Sequence, residues 1–123
     1  MLEDRPILAV VDDLFFSVKI GSVVKGLRFS YRFASTKSDA LKILQETLPS
    51  LIIIDLDLQQ NGLEILQKFK KEKVTKGVPI ISFSRHTQKE AMERARTLGC
   101  REVLSRPEFL KNLPFLLKSA LDG

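Results

Sequence analysis

Four groups of side chains that could share one piece of chemistry close apolar runs of the chain: Asp12 and Asp13 after ILAVV, Asp55 after LIII, Ser84 after VPIISF, and Ser105 with Arg106 after EVL. Carboxylates gathered within a few ångströms repel, so such a group must bind a cation, take up a proton or stay apart. A divalent metal is the simplest resolution, and Mg²⁺ prefers oxygen ligands, one or two of them carboxylates, while keeping waters that phosphate oxygens can replace. Asp13 and Asp55 are then ligands, and Asp12 holds a bound water. With its charge screened, Asp55 could attack a phosphoryl group as a nucleophile. Ser84 and Arg106 would hydrogen-bond and neutralise the transferred oxygens.

The elements that must position these residues follow from periodicity. Short β-rich runs are expected at Ile7 to Val11, Leu27 to Phe33, Leu51 to Ile54, Val78 to Phe83 and Glu102 to Ser105. Near-continuous Ile, Leu and Val in the first and third predict strands buried on both faces. Between them lie helical stripes at Phe16, Ile20, Val23 and Val24, at Ala40, Leu41, Leu44 and Leu48, and around Leu66 and Phe69. Others run through Ala91, Ala95 and Leu98, and from Phe109 to Leu121. This alternation predicts a parallel sheet with helices on both faces, and a right-handed winding collects the strand ends along one edge, where ligands bind. Thr36 and Ser38 are candidate caps of the second helix, and Gly26, Gly77 and Gly99 stand where helices stop. Pro107 suits a first helical turn, whereas Pro114 should kink or split the last helix.

A competing reading makes the strand-terminal acids simple helix caps, a role open to Asp12, Asp13 and Asp57 one at a time. The set as a whole, with hydroxyl and cation supplied from other strands, favours the shared site. It does not resemble a flavin-phosphate site, which presents backbone N–H groups and hydroxyls after the first strand.

Composition narrows the alternatives. Hydrophobic residues make up 44% and charged residues 28%, as expected for one globular domain over 1–123. The longest apolar run, Ile7 to Val11, is too short to span a bilayer, and the acidic MLEDRP start is unlike a secretory signal, so a cytoplasmic address is expected. Residues 1–62 carry net −1 and residues 63–123 net +6. The lysines at 68, 70, 71, 73 and 76 read as a solvated helix face, with only Phe69 among them for base stacking, which argues against nucleic-acid binding. Cys100, alone, is read as a packed small residue. Phe15 and Val18 extend the first helix's apolar stripe, which either leaves a flank open to docking or packs more closely onto neighbouring helices. The thin apolar face of TQKEAMERARTL suggests a mobile or partner-binding fourth helix.

At these residues the chain resembles the receiver domain of two-component response regulators over nearly its whole length. ILAVVDDLFFSVKI is similar to the family's first strand and acidic pair, PSLIIIDLDLQQNGLEIL to its phospho-acceptor strand and loop, VPIISFS to its hydroxyl-bearing strand, and VLSRPEF to its fifth. The spacings are 42 residues from Asp13 to Asp55, 29 to Ser84 and 22 to Arg106. The resemblance implies a five-stranded doubly wound, flavodoxin-like sheet of order 2-1-3-4-5. It also implies Mg²⁺ on Asp12, Asp13, Asp55 and the backbone carbonyl of Asp57, with phosphoryl transfer to Asp55 from a histidine kinase or phosphotransfer protein. Output would reach an attached domain, a partner or a second copy through the face of the fourth helix, fifth strand and fifth helix (α4-β5-α5). Such a domain is not an enzyme beyond catalysing its own phosphorylation and dephosphorylation.

Departures from the family pattern define the alternatives. Arg106 stands where the family has lysine, and a planar fork cannot replace an ammonium unchanged. Val103 replaces the switch aromatic. LDLQQNG, with Gln59 and Asn61-Gly62, lacks the proline and the Asp-Gly turn, and the residues after the hydroxyl are Arg85 and His86. Arg85 could obstruct the site or pair with its carboxylates. Together these suggest, as an alternative, a pseudo-receiver that signals by binding without phosphorylation. A weaker alternative comes from IIIDLDLQ, which is similar to the nucleophile motif of haloacid-dehalogenase-type phosphatases, with Asp55 attacking and Asp57 as general acid. That family needs acidic ligands after its basic residue, and only Glu108 and Asp122 follow Arg106.

Overall fold

The structure is a computed structural model that describes residues 5–58, 62–85 and 87–122. Gln59, Asn61 and His86 therefore lie outside the described residues. Five parallel strands, β1 (Ile7–Val10), β2 (Tyr31–Ala34), β3 (Leu51–Asp55), β4 (Ile80–Ser84) and β5 (Glu102–Ser105), form one sheet in the order β2-β1-β3-β4-β5. The helices are α1 (Leu14–Gly26), α2 (Lys37–Glu46), α3 (Gly62–Lys71), α4 (Lys89–Thr97), α5 (Arg106–Lys111) and α6 (Leu113–Asp122). This is the doubly wound arrangement expected from the alternation of patterns.

Every residue of β1 and β3 is buried, because both strands carry helices on both faces. The pleat divides their side chains. Leu8, Val10, Ile52 and Ile54 enter the core shared with Ile43, Leu66, Phe69 and Ala95 of α2, α3 and α4. Ile7, Ala9, Leu51 and Ile53 enter the opposite core with Phe16, Ile20, Phe109 and Leu117 of α1, α5 and α6. In α1, Phe16, Ile20 and Val24 face inward, whereas Phe15 and Val18 stay 62% and 63% exposed, which decides for the uncovered flank over closer helix packing. The inner face of α4 is as thin as its sequence suggests, with Met92 and Ala95 its buried residues. No helix among the described residues is long and apolar enough to cross a membrane.

Several element boundaries depart from the sequence reading, β1 ending at Val10 and β3 running on through Asp55. The second strand begins at Tyr31 instead of Leu27, because Leu27 closes α1 with N–H bonds to Val23 and Val24, and Arg28 turns the chain at φ +66°. The fourth strand starts later and runs through Ser84, so the hydroxyl belongs to the strand end itself. As expected from Pro114, the last helical stretch is split, at Asn112, which leaves Pro107 and Pro114 each in a first turn, where a missing N–H costs nothing. Thr36, not Ser38, caps α2, through its hydroxyl on the Asp39 N–H.

Gly62 opens α3 directly against the end of β3. A Cβ there would fall on Leu56 Cα and on the Asp55 carbonyl, backbone atoms that cannot swing aside. Gly62→Ala is therefore expected to destabilise the fold by about 1–3 kcal/mol through overpacking. Urea unfolding checks this, and an unchanged midpoint would contradict the close approach.

Candidate functional site

Strand register assembles the site. Asp55 pairs with Phe83, and Ser84 with Ser105, so Asp55, Ser84 and Arg106 leave β3, β4 and β5 along one edge, while Asp12 and Asp13 extend past the end of β1 beside them. Arg106 is the first residue of α5, whose start is held by a capping box. Ser105 accepts from the Glu108 N–H, and the Glu108 carboxylate accepts from the Ser105 N–H.

Asp55 is 1% exposed and both of its carboxylate oxygens are engaged. Oδ1 accepts the backbone N–H of Asp57 at 2.9 Å, and Oδ2 accepts Arg106 Nη2 at 2.8 Å. Asp57 forms a second node. Its Oδ1 accepts the Ser84 hydroxyl at 2.9 Å, its Oδ2 accepts the Arg85 N–H at 2.9 Å, and Arg106 Nε lies 3.5 Å from Oδ2. That Nε is buried and makes no hydrogen bond.

The guanidinium rests on aromatic rings. Its central carbon lies 4.9 Å from the Phe16 centroid and 5.6 Å from that of Phe83. Phe83 in turn stacks on Phe109 at 4.4 Å and on Phe16 at 5.1 Å. A planar guanidinium can lie flat on such faces and stack as well as attract, which an ammonium on a flexible stem does less readily, and this favours arginine at this position.

Burial pushes the Asp55 carboxyl up to about 6, and the neighbouring Asp57 and Asp12 carboxylates push the same way. The Asp57 N–H and the Arg106 charge pull it down without cancelling the rise. At neutral pH Asp55 is thus mostly ionised and able to act as a nucleophile.

The other predicted residues fall out as follows. Asp12 is exposed and reaches Asp55 through its charge. Asp13 caps α1, accepting from the Phe16 N–H at 3.3 Å, so the competing capping role holds at that residue. Among the described residues no three acidic, His or Cys side chains stand together as a metal-holding group. The acidic donors at this edge are nonetheless all hard oxygens, and a cation would offset the burial that chiefly raises Asp55 together with the smaller repulsion from Asp57 and Asp12, so the donor set fits Mg²⁺ if Asp13 turns from its cap. Arg85 engages the site through its backbone, and its exposed side chain forms no ion pair with Asp55 or Asp57. Val103 is buried on β5 within the α2-α3-α4 core, with no ring to swing. Burial raises the Cys100 thiol, consistent with a packing role. Two features escaped the sequence reading: the Asp57 side chain as an acceptor, and the aromatic seat of Arg106. Only the second had a signal, in Phe16 lying on the core stripe of α1.

Because the folded state holds the Asp55 proton more tightly than the unfolded chain, stability falls as pH rises from about 4 to about 6. Asp55→Asn removes this dependence. Without added metal, the variant's stability relative to wild type should rise by about 2–3 kcal/mol between pH 4 and pH 7. Denaturant melts at the two pH values read the difference, and a constant offset would contradict the raised carboxyl.

The family described as the response regulator receiver domain matches residues 7–117. An NtrX-like response regulator of Rickettsia bellii is 31% identical over 119 residues, covering 94% of this chain and 24% of that protein. The chain thus spans about a quarter of the length of the curated relatives it matches. Among solved structures, the receiver domain of NtrX from Brucella abortus superposes with a TM-score of 0.84 at 24% identity, covering 94% of this chain and 98% of that one. The receiver domain of a sensor histidine kinase from Pseudomonas aeruginosa, with a magnesium ion coordinated in its active-site cleft, gives 0.82 at 18% identity, covering 97% and 98%. With residues 7–117 matching the family and the sheet wound in the order 2-1-3-4-5, this chain belongs to the response regulator receiver domains of two-component systems.

Proposed function

We propose that residues 1–123 act as one receiver domain in which Asp55 accepts a phosphoryl group from a phosphohistidine of a histidine kinase or phosphotransfer protein. The observation that carries this reading is the buried Asp55 carboxylate held by Arg106 at 2.8 Å, with Ser84 at the neighbouring strand end. In the transfer, a carboxylate oxygen of Asp55 attacks phosphorus, the P–N bond breaks, and the imidazole departs with the bonding pair. Arg106 and the Ser84 hydroxyl supply donors for the phosphoryl oxygens. Mg²⁺, held by Asp12, Asp13, Asp55 and the Asp57 backbone carbonyl, would add charge neutralisation and Lewis acidity when bound. Support for that ion comes from the hard-oxygen donor set and from the magnesium in the cleft of the Pseudomonas receiver. The location is cytoplasmic in this reading.

Output passes to an attached domain, a separate partner or a second copy through α4, β5 and the helical pair that follows. Since Val103 offers no aromatic ring there, the message travels by movement of β4 and α4 rather than by a ring swing. The self-contained pairing of Arg106 with both Asp55 and Asp57 favours a second reading, a pseudo-receiver that is never phosphorylated.

Incubation with phosphoramidate and magnesium, followed by intact mass measurement, separates the two. The protein should gain one phosphoryl mass, and Asp55→Asn none. No gain in wild type would support the pseudo-receiver, and a gain that survives in Asp55→Asn would place the acceptor elsewhere.

A further inference from the structure

We propose that the Asp57 carboxylate is an internal stand-in for phosphoryl oxygens, occupying the donors that an incoming phosphoryl group needs and so setting how readily Asp55 is modified. The inference rests on the acceptor reading of the same site and extends it to a residue whose side chain that reading leaves without a role.

The hydroxyl of Ser84 and the N–H of Arg85 each donate at 2.9 Å to a different oxygen of Asp57, and Arg106 Nε faces the second oxygen from 3.5 Å. Three donors from two strand ends thus converge on one small anion. A carboxylate whose two oxygens both collect donors presents the charge and acceptor pattern of one edge of a phosphoryl group. The buried Nε is a donor without an acceptor, held too far from Asp57 to bond and attached to the side chain that already holds Asp55. A phosphoryl group on Asp55 would bring acceptors into this space together with further negative charge, which Asp57 opposes at close range.

Asp57 therefore turns outward when Asp55 is modified, and its donors pass to the phosphoryl oxygens. Its side chain is 16% exposed, so a route to solvent exists. Competition of this kind lowers affinity for the tetrahedral anion without altering the anion's own contacts. Its backbone carbonyl is unaffected by substitution of the side chain.

The test titrates inorganic phosphate into wild type, Asp57→Ala and Asp57→Asn, following the Arg85 amide by NMR. Asp57→Ala removes charge and acceptors together, whereas Asp57→Asn removes the charge but keeps an oxygen for the same donors. Asp57→Ala should bind phosphate about tenfold more tightly than wild type, the effect of freeing hydrogen bonds made to a charged group, with Asp57→Asn between the two. Equal affinities overturn the proposal, and so does Asp57→Asn matching Asp57→Ala, which would reduce the effect to charge alone. Parallel incubation with phosphoramidate and magnesium should rank the phosphorylation rates in the same order. If no variant is phosphorylated while the phosphate ranking holds, the acceptor reading fails and the stand-in role of Asp57 survives.

Discussion

The buried contact between Asp55 and Arg106 is the constraint around which the rest of the site is arranged. An ionised carboxylate at the end of a central strand, 1% exposed, loses nearly all its hydration. One guanidinium and one backbone N–H replace it. Such a pair contributes little net stability compared with apolar side chains of the same volume, whereas removing one partner alone costs about 3–5 kcal/mol. Packing energy therefore does not account for its presence at the end of a central strand. The incomplete compensation that leaves the carboxyl near 6 is the electrostatic signature of a site with room for more positive charge.

Several local devices keep the guanidinium where the carboxylate needs it. The capping box at Ser105 and Glu108 starts α5 at Arg106 itself, and Pro107 stiffens the same turn. Phe16 of α1 and Phe83 of β4 form the surface on which the cation lies, and Phe109 of α5 stacks against both rings. Phe16 also donates its N–H to Asp13, so a single turn of α1 carries both a candidate ligand and part of the seat of Arg106. Any rotation of α1 would move the two together. That shared attachment ties the acidic edge to the cationic one through the core rather than across solvent.

The sequence made some of this visible and hid the rest for physical reasons. Unbroken apolar runs announced β1 and β3, because strands covered on both faces cannot alternate. Residues at strand ends announced the site, since parallel winding brings every such end to one edge. Leu27 to Arg28 misled, because the left-handed turn uses an arginine where glycine or asparagine would have signalled it. Pro114 was read as kinking or splitting the last helix, and the helix does split just before it, with Asn112 ending α5 and the proline in the first turn of α6. The side chain of Asp57 was open to several readings, as cap or general acid, and nothing along the chain marks it as an acceptor for Ser84 and Arg85, 27 and 28 residues away. Arginine in place of lysine looked like a defect in isolation. The stacked rings that make it suitable come from three separate elements, and the one trace of them along the chain is Phe16 on the apolar stripe of α1.

In the proposed reaction Asp55, and no other carboxylate at this acidic edge, is the nucleophile. Borohydride reduces an acyl phosphate to the alcohol and would convert a phosphorylated aspartate into homoserine, a change that peptide mass spectrometry assigns to a position. After treatment with phosphoramidate and magnesium, homoserine is expected at position 55 alone. Homoserine at position 12, 13 or 57 instead, or at none of the four, would contradict the account.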